Sequence, residues 1–476
     1  MNGTDDGRNP GGRRHFLKTA GMTGLSLGTL AMARPEAQVD HLAQNVNRRS
    51  SPSKLEITDL RIAEVGGIPF RCPIIRIDTN QGISGYGEVR DNGPKEYALF
   101  LKSRILGENP CNVEKLFRII KQFGHHGRQG GGVAGVETAL WDLAGKAYGV
   151  PVYQMLGGRY RDRVRLYADT TSSPDPVAFA RRMKETRVDA GYTALKMDLG
   201  IELISRAGGE GVLVNTRTWG PVGEAELRSQ YSSQRGDYGQ IDHPFTRIQI
   251  TEKGLDLMEQ FVAVMREHVG YEIQLGIDHT GHFDKNEAIK LARRMEKYSL
   301  AYMEDLVPWT YTDDWKDITD ATTTPTKTGE DIFALEGFKP LIDKRAVDIV
   351  HPDLGSAGGI LETKRINDYA SERGIATNYH YAGSPIGFYA SVHAAAACQY
   401  FGVLEHHSVG DTRWYNLIAG DSSGVFDKGY TRVPDGPGLG FELNLEAVKE
   451  YLVEGAGFFE PTPEWNEIRS WDRLWS

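Results

Sequence analysis

The 476-residue chain is predicted to hold a small α+β unit followed by a closed parallel barrel of alternating strands and helices. Three observations predict this. Three strand-like stretches between Leu55 and Val89 precede helical periodicity from about Lys95 to Tyr148. Eight short apolar runs then follow, most of them separated by amphipathic helical stretches, a rhythm that suggests a parallel barrel. The length also exceeds one ordinary compact domain and suits a large barrel, or two to three smaller domains.

Taken in order, Arg13-Arg14-His15-Phe16-Leu17-Lys18 leads into a mildly apolar stretch, Thr19 to Met32. Ala31-Met32-Ala33 offers small residues for cleavage. Residues 1–33 therefore resemble a twin-arginine export signal, and the expected location is the periplasm or the cell exterior. N-terminal sequencing of the mature protein checks cleavage after Ala33. The apolar run is too short for a membrane span, so no membrane association is expected after cleavage. Residues 34–53 read as a polar linker.

Residues 54–162 form the α+β domain. Leu55 to Ile62 and Ile74 to Asp78 alternate apolar and polar residues as half-buried strands do. Gly66-Gly67 marks a loop, Asn80-Gln81-Gly82 is turn chemistry, and Ile83 to Val89 returns as a third strand. Residues 163–440 form the barrel. Its strand candidates are Val164–Tyr167, Ala194–Met197, Ile273–Ile277, Ala301–Met303, Thr326–Thr328, Val347–Val350, Ala376–Tyr379 and Gly402–Leu404. Residues 199–250 lack clear core periodicity and read as a lid or insertion. Residues 441–476 are expected to pack back on the first domain.

Apolar residues make up 40% and charged residues 25%, a globular composition with a net charge of −9. That acidic balance argues against nucleic acid as a partner. Cys72, Cys111 and Cys398 form no zinc pattern and no disulfide framework, and read as small buried thiols.

Three acids follow three successive strand candidates: Asp278, Glu304 and Glu330, each 26 residues after the last. One βα unit has about this length, so the three should converge at the C-terminal mouth of a barrel, where active sites lie. Convergent carboxylates repel unless a hard cation neutralises them, and an all-oxygen site suits Mg²⁺. His380 ends the strand Ala376–Tyr379, and Asp353 follows the preceding strand. Neighbouring strands would let Asp353 orient the imidazole and raise its basicity. Lys196 ends the second barrel strand, across the mouth from His380, where it can stabilise an oxyanion or act as a base. Glu405 follows the last strand; in its protonated form it would hydrogen-bond a substrate carboxylate or enolate.

These residues resemble the mandelate racemase and muconate-lactonizing branch of the enolase superfamily over about residues 54–460. The motifs that carry the resemblance are Gly85-Tyr86-Gly87-Glu88, Ala139 to Lys146, Gly149-Val150-Pro151, Leu156-Gly157-Gly158, Pro352-Asp353-Leu354 with Gly358-Gly359, and Ser384-Pro385-Ile386-Gly387. The resemblance implies an α+β capping domain over a modified TIM barrel, (β/α)7β. It implies Mg²⁺ on Asp278, Glu304 and Glu330, and a shared first step, removal of the proton next to a carboxylate. His380 with Asp353 would move that proton.

Two departures shape the functional expectation. The family's racemases usually carry Lys-x-Lys or Lys-x-His where this chain has Lys196-Met197-Asp198, which weakens two-base racemisation. Its galactonate- and mannonate-type dehydratases carry Asp-x-His where this chain has Asp278-His279-Thr280-Gly281-His282, with His279 and His282 as candidate substitutes. Asp198, His125 and His126, and Arg217, Tyr231 and Arg235 of the insertion are further candidate substrate contacts. The expected activity is dehydration of a sugar acid to a 2-keto-3-deoxy acid. An epimerase or a cycloisomerase opening an anhydro-sugar acid is the alternative, and a catalytically dead sugar-acid binding protein is a third. The expected partner is a small hydroxy-carboxylate, and a homo-oligomer is expected.

Overall fold

The computed structural model describes residues 51–125, 127–170, 172–214, 249–278, 280–281, 283–420 and 425–467. The expected export signal, and His126, Arg217, Tyr231, Arg235, His279 and His282, lie outside the described residues.

The first domain is built on an antiparallel meander, β1 (Ile57–Val65), β2 (Cys72–Thr79) and β3 (Ser84–Glu88). The sheet is buried on both sides where β1 ends and β2 begins, with Leu60, Ile62, Ile75 and Ile77 in one core and Ala63, Val65, Cys72 and Ile74 in the core shared with the barrel, and Gly82, with φ of +74°, turns β2 into β3. The linker reading extends too far. Ser51 N–H donates to Gln81 Oε1 (2.9 Å) and Gln81 Nε2 donates to Ser51 O (3.1 Å), so the chain docks on this turn before its alternation begins. The helix Gly130–Tyr148 lies on β3 and is held there by absent side chains. A Cβ on Gly87 would stand 1.9 Å from Gly135 O, and one on Gly85 2.2 Å from Ala139 O. Glycine at both positions lets backbone meet backbone.

Eight parallel strands make the barrel among the described residues: β4 (Arg163–Ala168), β5 (Ala194–Asp198), β8 (Gln274–Asp278), β9 (Tyr302–Glu304), β10 (Thr326–Thr328), β11 (Ile349–Val350), β12 (Ala376–Tyr379) and β13 (Phe401–His406). Pairing of β13 with β4 closes the ring. Helices fill each of the seven connections between successive staves, which gives the (β/α)7β order. Short two-stranded ladders interrupt it: β6 (Leu213–Val214) pairs with β7 (Gln249–Ile250), and β14 (Phe426–Asp427) pairs with β15 (Tyr430–Arg432), which extends the sheet beside β4.

The insertion differs from expectation at its start. Ile201–Gly208 is a helix, and Ile201, Leu203 and Ile204 are buried in the barrel's outer core. Its eight residues are too short to show a period against the glycines that follow. The C-terminal segment reaches the first domain through bridges Val65–Leu452 and Ala63–Phe458. Among the described residues, no helix is long and apolar enough to cross a membrane.

One buried histidine ties three segments together and gives a pH prediction. His393, on the helix Pro385–Ala396, accepts from Tyr153 N–H at Nδ1 (3.3 Å) and faces Leu439 O with Nε2 (3.1 Å). Nε2–H is therefore the donor and the ring is neutral. Burial pushes its pKa down to about 4. A folded pKa below the unfolded value contributes stability above about pH 6.5, and this is lost as pH falls toward 4. The full contribution is about 3 kcal/mol. The urea midpoint of wild type should fall more between pH 7 and pH 4.5 than that of His393→Gln. Equal shifts would contradict this assignment.

Candidate active site

Parallel staves deliver their C-terminal residues to one mouth. Asp278 and Glu304 are the last residues of β8 and β9, and Glu330 stands two residues beyond β10. Oxygen atoms of Asp278, Glu304 and Asp305 lie within 4.8 Å of one another. Glu330 is turned aside: its Oε2 is 3.2 Å from His380 Nε2 and its Oε1 accepts from Arg90 (3.2 Å). Asp305, which the sequence reading missed, has φ of +46° and accepts from the Thr328 hydroxyl (2.6 Å). Burial, then the charges of Glu330, Asp278 and Glu304, push its carboxyl well above the ordinary range. Burial also raises Glu330. Such mutual repulsion within an all-oxygen donor set fits a hard divalent cation.

Beneath these acids the barrel holds two basic residues that the sequence reading did not single out, Lys327 and His351. Lys327, fully buried at the centre of β10, pairs in register with Glu304; its Nζ is 2.8 Å from Glu304 Oε2 and 3.5 Å from the Tyr302 ring centroid. His351 Nδ1 is 2.6 Å from Glu304 Oε1, and its Nε2 is 3.1 Å from the Tyr167 hydroxyl. Burial, aided by Lys327, lowers the His351 pKa to about 4, so the ring is neutral. Burial alone would raise Glu304, but His351, Lys196 and Lys327 hold it ionised.

Lys196, on β5, is buried with Nζ 2.9 Å from Asp278 Oδ2 and 2.8 Å from Glu405 Oε1. Burial works to lower its pKa, yet Asp278, Glu304 and Glu405 raise it well above the ordinary value. These carboxylates favour the ammonium form of Lys196, and cation binding among them would weaken that effect. Asp198 ends the same strand, in register with Asp278.

The His–Asp pair comes from neighbouring staves. His380 follows β12 and Asp353 follows β11; His380 Nδ1 is 2.5 Å from Asp353 Oδ2. Asp353 Oδ1 meanwhile accepts from Ser356 N–H (3.1 Å) as a helix cap, which fixes the carboxylate. With Nδ1 engaged, Nε2 faces the mouth, 3.2 Å from Glu330 and 3.5 Å from Glu405. Burial lowers the His380 pKa, but Glu330, Glu405 and Asp353 together raise it to about 9. Cation binding among the carboxylates would reduce that attraction.

Glu405 corrects one expectation. A protonated Glu405 is not what this site favours: burial would raise its pKa, but Lys196, His380 and His407 hold it well below the ordinary range. It is a carboxylate in which Oε1 meets Lys196 and Oε2 faces His380. Lys196 and His380 therefore face each other across Glu405, three staves apart through the β13–β4 closure. Two further residues complete this side. His407, just beyond β13, has Nε2 3.2 Å from Glu405 Oε1 and Nδ1 2.7 Å from Asp169 Oδ2, at the end of β4. Asp169 was legible as another acid directly after a strand; His407 carries no such signal.

The first domain closes over the mouth. Arg90, beyond β3, donates to Glu330 O (2.8 Å) and reaches Asp331 Oδ1 (2.5 Å). Glu88 of the Gly-Tyr-Gly-Glu motif accepts from the Tyr381 hydroxyl (2.8 Å) and from Ser384 N–H (3.1 Å), and also contacts the Ser384 hydroxyl. His125 is exposed in the loop before the helix Gly130–Tyr148.

A three-stranded cap over a (β/α)7β barrel, with acids on successive stave ends and a His–Asp pair beyond them, defines an enolase-type architecture. Family comparison agrees: residues 69–157 match the mandelate racemase / muconate lactonizing enzyme N-terminal domain, and residues 178–448 match the enolase C-terminal domain-like family. The chain belongs to the mandelate racemase / muconate lactonizing enzyme branch of the enolase superfamily. It is 32% identical over 422 residues to a D-xylonate dehydratase of Haloferax volcanii, covering 87% of this chain and 93% of that protein. It is 28% identical over 395 residues to the D-galactonate dehydratase family member RspA of Cellvibrio japonicus, covering 80% and 92%. A mandelate racemase/muconate lactonizing enzyme-like structure from Rubrobacter xylanophilus superposes with a TM-score of 0.72 at 30% identity, covering 85% of this chain and 99% of that one.

Proposed function

We propose that this protein is a Mg²⁺-dependent sugar-acid dehydratase that converts an aldonate-type acid to a 2-keto-3-deoxy acid and water. The observation that carries the reading is the His380–Asp353 pair, whose Nε2 faces the mouth against Glu330 and Glu405. The curated relatives named for xylonate and galactonate dehydration support the substrate class.

Asp278, Glu304 and Glu330 would hold Mg²⁺, with Asp305 beside them. When bound, the ion supplies positive charge for the substrate carboxylate and for the negative charge that develops there as the α-proton leaves. The chain's own groups do the rest. Neutral His380 takes the C2 proton at Nε2, while Asp353 holds Nδ1–H and stabilises the imidazolium formed. Lys196 contributes a fixed ammonium toward the developing anion. Asp198 stands where racemases of this branch carry a second lysine or a histidine, which favours dehydration over epimerisation. The buried setting of the mouth under Arg90 and Phe70 limits water around these charges.

Purified protein with Mg²⁺ should form a semicarbazide-reactive 2-keto acid from D-xylonate, D-galactonate or another aldonate. A panel of aldonates that yields no keto acid, with an active control dehydratase alongside, would refute the proposal.

A further inference from the structure

β-Elimination leaves hydroxide unless something protonates the departing oxygen, and an acid positioned for this contributes about 10²–10⁴-fold. Where dehydratases of this branch carry the Asp-x-His histidine, this chain has Thr280. That residue is fully buried and its hydroxyl is directed at Glu304 O (3.5 Å), so it offers no acid.

On the other side of the mouth stands a second His–Asp pair that the proton-abstraction step leaves unused. His407 Nδ1 is 2.7 Å from Asp169 Oδ2, the same arrangement that Asp353 gives His380. Its ring centroid is 6.2 Å from that of His380, and Glu405 lies between them, 3.2 Å from one Nε2 and 3.5 Å from the other. Side-chain atoms of His380, Glu405 and His407 all converge within 4.8 Å. The His407 side chain is 21% exposed against 6% for His380, so it is the more accessible of the two. Phe70, from the loop between β1 and β2, meets its ring edge-on at 5.3 Å and places it under the cap.

We propose that His407 is a second catalytic residue, the general acid that protonates the departing C3 hydroxyl, with Asp169 as its positioning partner. The assignment rests on the dehydratase reading above. Burial lowers the His407 pKa, but Asp169 and Glu405 raise it well above the ordinary value, so the ring arrives protonated. His380 takes the C2 proton and the C–H pair enters the substrate carboxylate as an enediolate. That pair then returns to form C2=C3 as the C3–O bond breaks. The oxygen leaves with the bonding pair and takes the His407 Nε2 proton, forming water. The enol ketonises by moving its O–H proton to C3. The proton on His380 returns to His407 through Glu405 or water, so both rings are reset and no redox partner is needed.

The test uses the full-length Mg²⁺-loaded enzyme with the aldonate that wild type dehydrates, and with its 3-deoxy-3-fluoro counterpart, whose leaving group needs no proton. His407→Gln should lower water loss by about 10²–10⁴-fold. Its exchange of C2–H in D₂O and its release of fluoride should stay near wild type. Asp169→Asn should show the same split with a smaller loss. Retained water loss in His407→Gln overturns the assignment. So does an equal loss of exchange, fluoride release and dehydration, which is what a structural role would produce. If wild type dehydrates no aldonate but exchanges C2–H, the dehydratase reading falls and this assignment falls with it.

Discussion

His380→Asn should reduce turnover by about 10²–10⁴-fold, the range for removing a positioned proton-transfer group. Asparagine keeps a polar group beside Asp353 but has nothing that can accept a carbon-bound proton. C2–H exchange and dehydration should disappear together, because both begin with the same proton. Substrate binding should persist, since Lys196, Glu405 and the carboxylate group are untouched. Exchange at the wild-type rate in His380→Asn would show that another group takes the proton. This variant also separates an enzyme from a binding protein with a dead site: a binding protein would lose no turnover because it had none.

Removing the divalent ion should abolish activity, and restoring Mg²⁺ should recover it. Two buried carboxylates, Asp278 and Glu304, and two half-buried ones, Asp305 and Glu330, converge at or near the mouth, where Lys196, Lys327 and Arg90 face them. The stabilisation a bound cation gives to developing charge is several kcal/mol, so the loss on chelation should exceed about 10³-fold. Binding should also stabilise the fold. At an ion concentration 100 times the dissociation constant, the gain is about 2.7 kcal/mol. Thermal denaturation with and without Mg²⁺ reads this directly, and Glu304→Gln should diminish the shift. Full activity after exhaustive EDTA dialysis, or no thermal shift with Mg²⁺, would contradict the carboxylate assignment.

The parts of this site that were legible in the sequence share one physical origin. A parallel stave is short, apolar and followed by its functional residue, so Asp278, Glu304 and His380 stand out at the ends of runs such as Ala376–Tyr379. The even spacing of the acids reflects the length of one βα unit. What escaped notice lies where that pattern is silent. Lys327 occupies the middle of a three-residue strand, and only the closed barrel shows that Glu304 and Tyr302 surround it. His406 and His407 are adjacent, yet strand alternation sends them opposite ways. His406 stacks on Phe426 at 4.3 Å and shares a hydrogen bond with the Tyr192 hydroxyl, while His407 turns to Asp169. Their difference depends on the closure of β13 onto β4, a contact between chain ends more than 200 residues apart. The ionised state of Glu405 likewise depends on Lys196, His380 and His407, which come from three separate segments.

The most direct test of the central claim is proton NMR of the Mg²⁺-loaded enzyme in D₂O with aldonic, uronic and aldaric acids. One acid should lose its C2 proton and yield a 2-keto-3-deoxy product carrying deuterium at C3. Inversion at C2 or ring opening of an anhydro-sugar acid, with no water lost from any substrate, would contradict it.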